Sequence, residues 1–157
     1  MSGGPCNVLV TGANGFLGVA VVERLIARGK TGVRCLVRAG SDRRRLDAML
    51  ARHPGADVEI VGGDLSTRET AAKLIEGAPL ILHLAAALKG PPADMFLGTV
   101  VATKHMLEAI VESSHRPRVL LISSFAVYGV ADAPRGHLLD ETTPLESQPE
   151  RRDHYSH

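Results

Sequence analysis

The chain has 157 residues, 45% hydrophobic and 22% charged, with a formal net charge of +1, enough for one domain with a core of its own. So even a charge balance gives no bulk attraction to nucleic acid or membrane, and with three Phe, two Tyr and no Trp there is little to stack bases on. Cys6 and Cys35 match no metal-ligand spacing and fit reduced thiols in the cytoplasm; neither a signal peptide nor a membrane span is expected.

In chain order, Asn7 to Thr11 (NVLVT) is a short apolar run that predicts a buried strand. The segment GFLGVAVVERLIARGK follows as a helix, with Leu17, Val21 and Leu25 on one spacing of four and Val22 and Ile26 on another. Gly32 to Arg38 predicts a second strand and RRRLDAMLARH a short helix; Asp57 to Gly63 predicts a third strand. Ser66-Thr67-Arg68-Glu69 has the spacing of a capping box and opens a helix that runs through Ile75. Pro79 to Ala86 predicts a fourth strand, Asp94 to Ser114 a long helix, and Arg118 to Ser124 a fifth strand. From Phe125 the pattern stops: the remainder is polar, carries Pro134, Pro144 and Pro149, and predicts no strand. So long a structureless segment is expected to be functional or to pack against something else.

Strands alternating with helices predict right-handed βαβ units, and strands that are apolar throughout predict a sheet covered on both faces. The expected fold is α/β: a Rossmann-type doubly wound parallel sheet of order 3-2-1-4-5. Residues 1–124 are expected to form the α/β domain, with 125–157 a loop beyond it.

The turn between the first strand and helix, TGANGFLG, spaces Gly12, Gly15 and Gly18 by three. Gly12 permits a tight turn off the strand, Gly15 lets backbone approach a pyrophosphate, and Gly18 lets the helix lie close to the sheet. The helix N-terminus offers free N–H groups and partial positive charge to phosphates. A tight turn without a ligand is the competing reading, and a Walker-type loop is excluded because no Gly-Lys-Ser/Thr follows. Where an acidic residue would grip the ribose 2′-hydroxyl of NAD, this chain has Arg38, followed by Ser41, Asp42, Arg43, Arg44 and Arg45. Arginines in the first turn of a helix oppose its dipole, and the 2′-phosphate of NADP would relieve that conflict; a solvated surface run is the alternative. His83 and His105 have no partner spacing and read as packing or surface residues.

These motifs together resemble the extended short-chain dehydrogenase/reductase family, the NAD(P)-dependent epimerase/dehydratase group. Within it, VRCLVRAGSDRRRL is more similar to the dihydroflavonol-reductase and hopanoid-sugar-epimerase branch. The resemblance implies cofactor contacts from Gly12, Asn14, Gly15, Phe16, Leu17 and Gly18 in the loop and from Arg38 and Arg43 beyond the second strand. VGGDLS resembles the adenine-side motif, with Asp64 and Leu65. LHLAAA resembles the segment that borders the nicotinamide-side ribose, with Leu84, Ala85 and Ala86. In the helix motif N-V-x-G-T, Thr99 stands for the Asn and Ala102 for the Gly. LLISSFAVYG resembles the serine-bearing motif, giving Ser123 as a cofactor contact and Ser124 as the catalytic serine, while Tyr128 resembles a structural or substrate-side residue.

The family's chemistry needs Ser, Tyr and Lys. A free Tyr has a pKa of about 10 and is a poor base at neutral pH until a neighbouring ammonium stabilises its phenolate. Tyr155 aligns as that tyrosine, and the matching lysine falls at position 159, past His157. The ending thus resembles a truncation inside the catalytic helix, before the last strands and the substrate domain. The implied function is the NADP(H)-binding portion of an oxidoreductase or epimerase. It would act by hydride transfer on a nucleotide sugar or a small hydroxy/keto compound, with NAD the less favoured cofactor and no metal. The alternatives are a non-catalytic NADP(H)-binding or sensor module, or an inactive fragment. Self-association through an exposed apolar edge is expected.

Overall fold

A computed structural model of the chain describes residues 5–130, 133–148 and 150. Five strands, β1 (Val8–Thr11), β2 (Val33–Val37), β3 (Val58–Gly62), β4 (Leu80–His83) and β5 (Arg118–Leu121), form one sheet of order β3-β2-β1-β4-β5. Every neighbouring pair is parallel, so the predicted Rossmann-type order is the observed one. The connections are α1 (Phe16–Ala27), α2 (Arg44–Ala51), α3 (Arg68–Ile75), the single turn α4 (Pro92–Met95) and α5 (Ala102–Glu112).

Side chains alternate across each strand, so the sheet feeds two separate cores. Val8 and Val10 of β1 join Val22 of α1 and Leu46 and Met49 of α2 on one face. Leu9, between them, joins Ile81 of β4, Leu74 and Ile75 of α3 and Met106 of α5 on the other. Strands buried on both faces cannot alternate apolar with polar residues, which is why β1 reads VLVT. On α1 the buried series is Gly18 and Val22; Leu17, on the other spacing, is an exposed residue.

Several boundaries differ from expectation; the fourth strand, expected over Pro79 to Ala86, covers only Leu80–His83. The capping box of α3 is built one residue later than Ser66 and Glu69: Thr67 accepts from the Thr70 amide and Thr70 reciprocates, because Ser66 is held instead by the Asp64 carboxylate. The long helix is not continuous; six residues, Phe96–Val101, are wound as a π-helix between α4 and α5. The fifth strand ends at Leu121 instead of Ser124, since Ser124 caps a 3-10 turn over Phe125–Val127. Beyond that turn, where no strand was expected, Tyr128 forms a single antiparallel bridge with Leu145.

Candidate functional site

At the carboxyl end of β1 the chain turns at Gly12, whose φ is +65°. A Cβ there would stand 2.8 Å from the Ala85 amide nitrogen and 2.9 Å from the Leu84 carbonyl carbon, so glycine is required both by conformation and by the crossing of β4's end. A Cβ on Gly18 would collide with the Gly12 carbonyl oxygen and lie 2.8 Å from Ala13 Cα. The close approach at Gly18 is therefore between the helix and its own loop; the sequence reading had placed the sheet there. A Cβ on Gly15 would lie 3.2 Å from the Gly12 carbonyl oxygen, a milder crowding, and the Gly15 amide donates to that same oxygen at 3.0 Å.

Gly15 is the N-cap of α1, with no side-chain cap and no acidic residue in the first turn. The first-turn amides and the positive end of the helix therefore face outward with nothing from the described chain to neutralise them. Phe16, at 87% exposed, and Leu17 flank this opening. Free donors beside a turn with no room for a side chain fit a pyrophosphate.

The second strand ends beside this loop. Arg38 is exposed, and among the described residues its guanidinium makes no hydrogen bond or ion pair. Arg43, by contrast, holds the Asp47 carboxylate through Nε and Nη2 at 2.8–3.0 Å, and Arg44 holds Asp42 at 2.7 Å. The Arg44 side chain and amide keep the Asp42 carboxyl down at about 2. The dipole conflict read from three successive arginines is thus partly relieved by Asp42 and Asp47. The Asn14 side chain is bonded to the β2–α2 loop, at Ser41 and Asp42. Asp64, past β3, has its carboxyl held below the usual range by the Ser66 side chain and then by the Ser66 amide, whose hydrogen bond it accepts at 2.9 Å, with a smaller contribution from Arg38. The Leu65 side chain is buried in the α3/α5 core.

The junction of β1 and β4 contains a network that sequence reasoning missed. Thr11 and His83 are register partners, and Thr11 Oγ1 lies 2.8 Å from His83 Nδ1. Thr11 Oγ1 also accepts the Leu84 and Ala85 amides, each at 3.2 Å. With two donors already pointing at it, the hydroxyl donates its own proton to Nδ1, so Nε2 carries the imidazole hydrogen and donates to Thr103 Oγ1 at 3.0 Å. The ring is neutral and 2% exposed, and burial pushes its pKa below the ordinary histidine range. His105 also has a partner, the Leu65 carbonyl at 3.1 Å. Neither contact follows from spacing. For His83, the available signal was that the last residues of β1 and β4 must meet once the sheet order is known.

A groove of about 700 Å³ opens beside this network, lined by Ala85, Ala86, Thr99, Thr103, Ser123 and Ser124 among others. Thr99, at the family's Asn position, accepts the Ala87 amide at 2.9 Å and so fastens the π-helical segment to the loop after β4. A π turn at this place is a common mark of functional sites. Ser124 Oγ accepts the Ala126 amide at 3.1 Å, leaving its own O–H free to donate. The Tyr128 ring packs edge-on against Phe125, centroids 6.1 Å apart. Tyr155 lies outside the described residues. Among the described residues no three His, Cys, Asp or Glu side chains gather as a metal site, and no helix is long and apolar enough to cross a membrane.

The model of the NAD dependent epimerase/dehydratase family matches residues 8–156. The chain belongs to that family. It is 37% identical over 129 residues to D-erythronate dehydrogenase of Cupriavidus necator, a match covering 78% of this chain and 40% of that protein. It is 32% identical over 130 residues to vestitone reductase of Medicago sativa, covering 79% of this chain and 40% of the relative. A uronate dehydrogenase variant from Agrobacterium tumefaciens, solved in complex with NAD, superposes with a TM-score of 0.62 at 26% identity, over 79% of this chain and 43% of that one. The chain therefore spans about two fifths of the length of these epimerase/dehydratase relatives.

Proposed function

We propose that the chain is the NADP(H)-binding portion of an oxidoreductase or epimerase acting by hydride transfer on a nucleotide sugar or a small hydroxy/keto compound. The observation that carries the reading is the pairing of an uncapped helix N-terminus behind Gly12 with an exposed Arg38 guanidinium that makes no hydrogen bond or ion pair among the described residues. In this reading Gly12, Asn14, Gly15, Phe16, Leu17 and Gly18 form the pyrophosphate loop, Asn14 through its backbone alone since its side chain is bonded to Ser41 and Asp42. Arg38 takes the 2′-phosphate, and Arg43 adds positive potential while bonded to Asp47. Asp64 and Leu65 border the adenine, Leu65 through its backbone. Leu84, Ala85, Ala86 and Ser123 border the nicotinamide-side ribose. The bound nicotinamide supplies a hydride donor or acceptor. Ser124 donates its free O–H to the substrate oxygen, and Tyr155 moves the proton. His83 holds the floor of the groove as a neutral spacer.

Residues 1–124 act as the nucleotide-binding unit and 125–157 as the active-site loop, in a cytoplasmic setting that suits two buried, unpaired thiols. NADPH and NADH titrated into the chain by nicotinamide fluorescence test the cofactor. NADPH is expected to bind about tenfold or more tightly, the scale of one charge-assisted bond between guanidinium and phosphate. Tighter NADH binding, or none of either, overturns the reading.

A further inference from the structure

We propose that Asn14 is a positioning residue for recognition of the adenosine 2′-phosphate, acting through the β2–α2 loop instead of through a side-chain contact with the nucleotide. The proposal rests on the NADP(H) reading above. Asn14 sits in the glycine loop, yet both hydrogens of its side-chain amide point away from the pyrophosphate cradle. Nδ2 donates to the Asp42 carbonyl at 2.8 Å and to Ser41 Oγ at 3.2 Å. A carbonyl can only accept, so the Asp42 contact fixes which end of the amide faces the loop. Ser41 Oγ then donates to the Arg38 carbonyl at 2.6 Å, and the Ser41 amide donates to the same oxygen at 3.1 Å. Gly40, at φ +72°, makes that turn possible.

A continuous line of hydrogen bonds thus runs from the phosphate loop to the backbone of Arg38. Its consequence is selective. Asp47 and Asp42 hold Arg43 and Arg44, whereas Arg38 makes no direct bond to a carboxylate among the described residues, feeling Asp64 only at longer range, so its backbone is its main anchor. Fixing that backbone relative to the cradle sets the distance between the groups that hold the pyrophosphate and the group that would hold the 2′-phosphate. A dinucleotide carrying the extra phosphate gains from this preorganisation; one lacking it gains nothing at that end. A residue that merely stabilised the loop would affect both cofactors alike.

The test titrates NADPH and NADH, at one fixed salt concentration, into the wild-type chain and into Asn14→Ala, Arg38→Ala and the double variant. Thermal melts establish that each is folded. Asn14→Ala is expected to lower the preference for NADPH over NADH about fivefold to tenfold, the scale of losing one or two hydrogen bonds, while NADH affinity stays within about twofold. In the Arg38→Ala background the same change is expected to leave the preference where it is, because Asn14 acts through Arg38. Should Asn14→Ala fail to fold, Ser41→Ala removes only the middle of the line and is expected to lower the preference about twofold to threefold. Equal weakening of both cofactors, an unchanged preference, or additive effects of Asn14→Ala and Arg38→Ala overturns the proposal while leaving the NADP(H) reading intact. A wild-type chain with no preference for NADPH overturns both.

Discussion

Strands β1 and β5 are both four residues long and parallel to β4, one on each side of it, yet their surroundings are opposite. Every residue of β1 is buried and Leu9 is 0% exposed; every residue of β5 is exposed, Leu120 at 47%. In register, Val119 and Leu121 of β5 lie level with Ile81 and His83. They share that face with the exposed Leu107 and Val111 of α5. The sheet is thus packed at its centre, where the Gly12 turn is anchored, and exposed at the β5 edge. In the proposed reading, rigid support would lie under the cofactor loop. Neither property belongs to the strand's own composition.

The largest effect that would sharpen this contrast is expected at the cradle. Gly18→Ala drives a methyl group into the Gly12 carbonyl and is expected to cost about 3 kcal/mol in a urea melt, with loss of NADPH binding. Leu9→Ala is expected to cost a further-core penalty of about 3 kcal/mol, against no more than about 0.5 kcal/mol for Leu120→Ala. Equal costs for the two would break the comparison.

Thr11→Val keeps the shape but removes the oxygen that serves His83, Leu84 and Ala85. It is expected to cost about 2 kcal/mol, since the imidazole and two amides lose their partner. The same network gives a pH dependence. Because the folded pKa of His83 is depressed, its contribution to stability is complete above the unfolded value of about 6.5 and is lost as pH falls from there through the folded pKa. The melting temperature of the wild-type chain should decline over that acidic window, and His83→Gln should flatten the slope. The smallest effect concerns the open edge. We expect weak self-association through β5 and α5, visible by sedimentation and reduced by Val111→Lys paired with Leu121→Lys. A clean wild-type monomer at all concentrations would contradict it.

Much of the fold was legible because its signals are local. Apolar runs of four or five residues, each followed by a helical period, yielded the five strands and the loop at Gly12, while the strand order came with the Rossmann-type fold. The errors share one cause: two local solutions were close in energy, and a hydrogen bond between residues two positions apart chose between them. Ser66 and Thr67 could each have capped α3, and the Asp64 carboxylate took the Ser66 amide. Arg118 to Ser124 could have stayed extended, but the Ala126 amide took Ser124 as its cap.

The amino-acid sequence by itself determined the alternation of strand and helix, the glycine spacing and the basic stretch after β2, because periodicity, turn geometry and charge are carried by neighbouring residues. Only the tertiary structure decided that Asn14 spans to Ser41 and Asp42, and that Thr11 fixes the tautomer of His83. Those contacts join residues as much as 72 positions apart. They exist because parallel strands bring their carboxyl ends to one edge of the sheet, where side chains unrelated in sequence share a single layer.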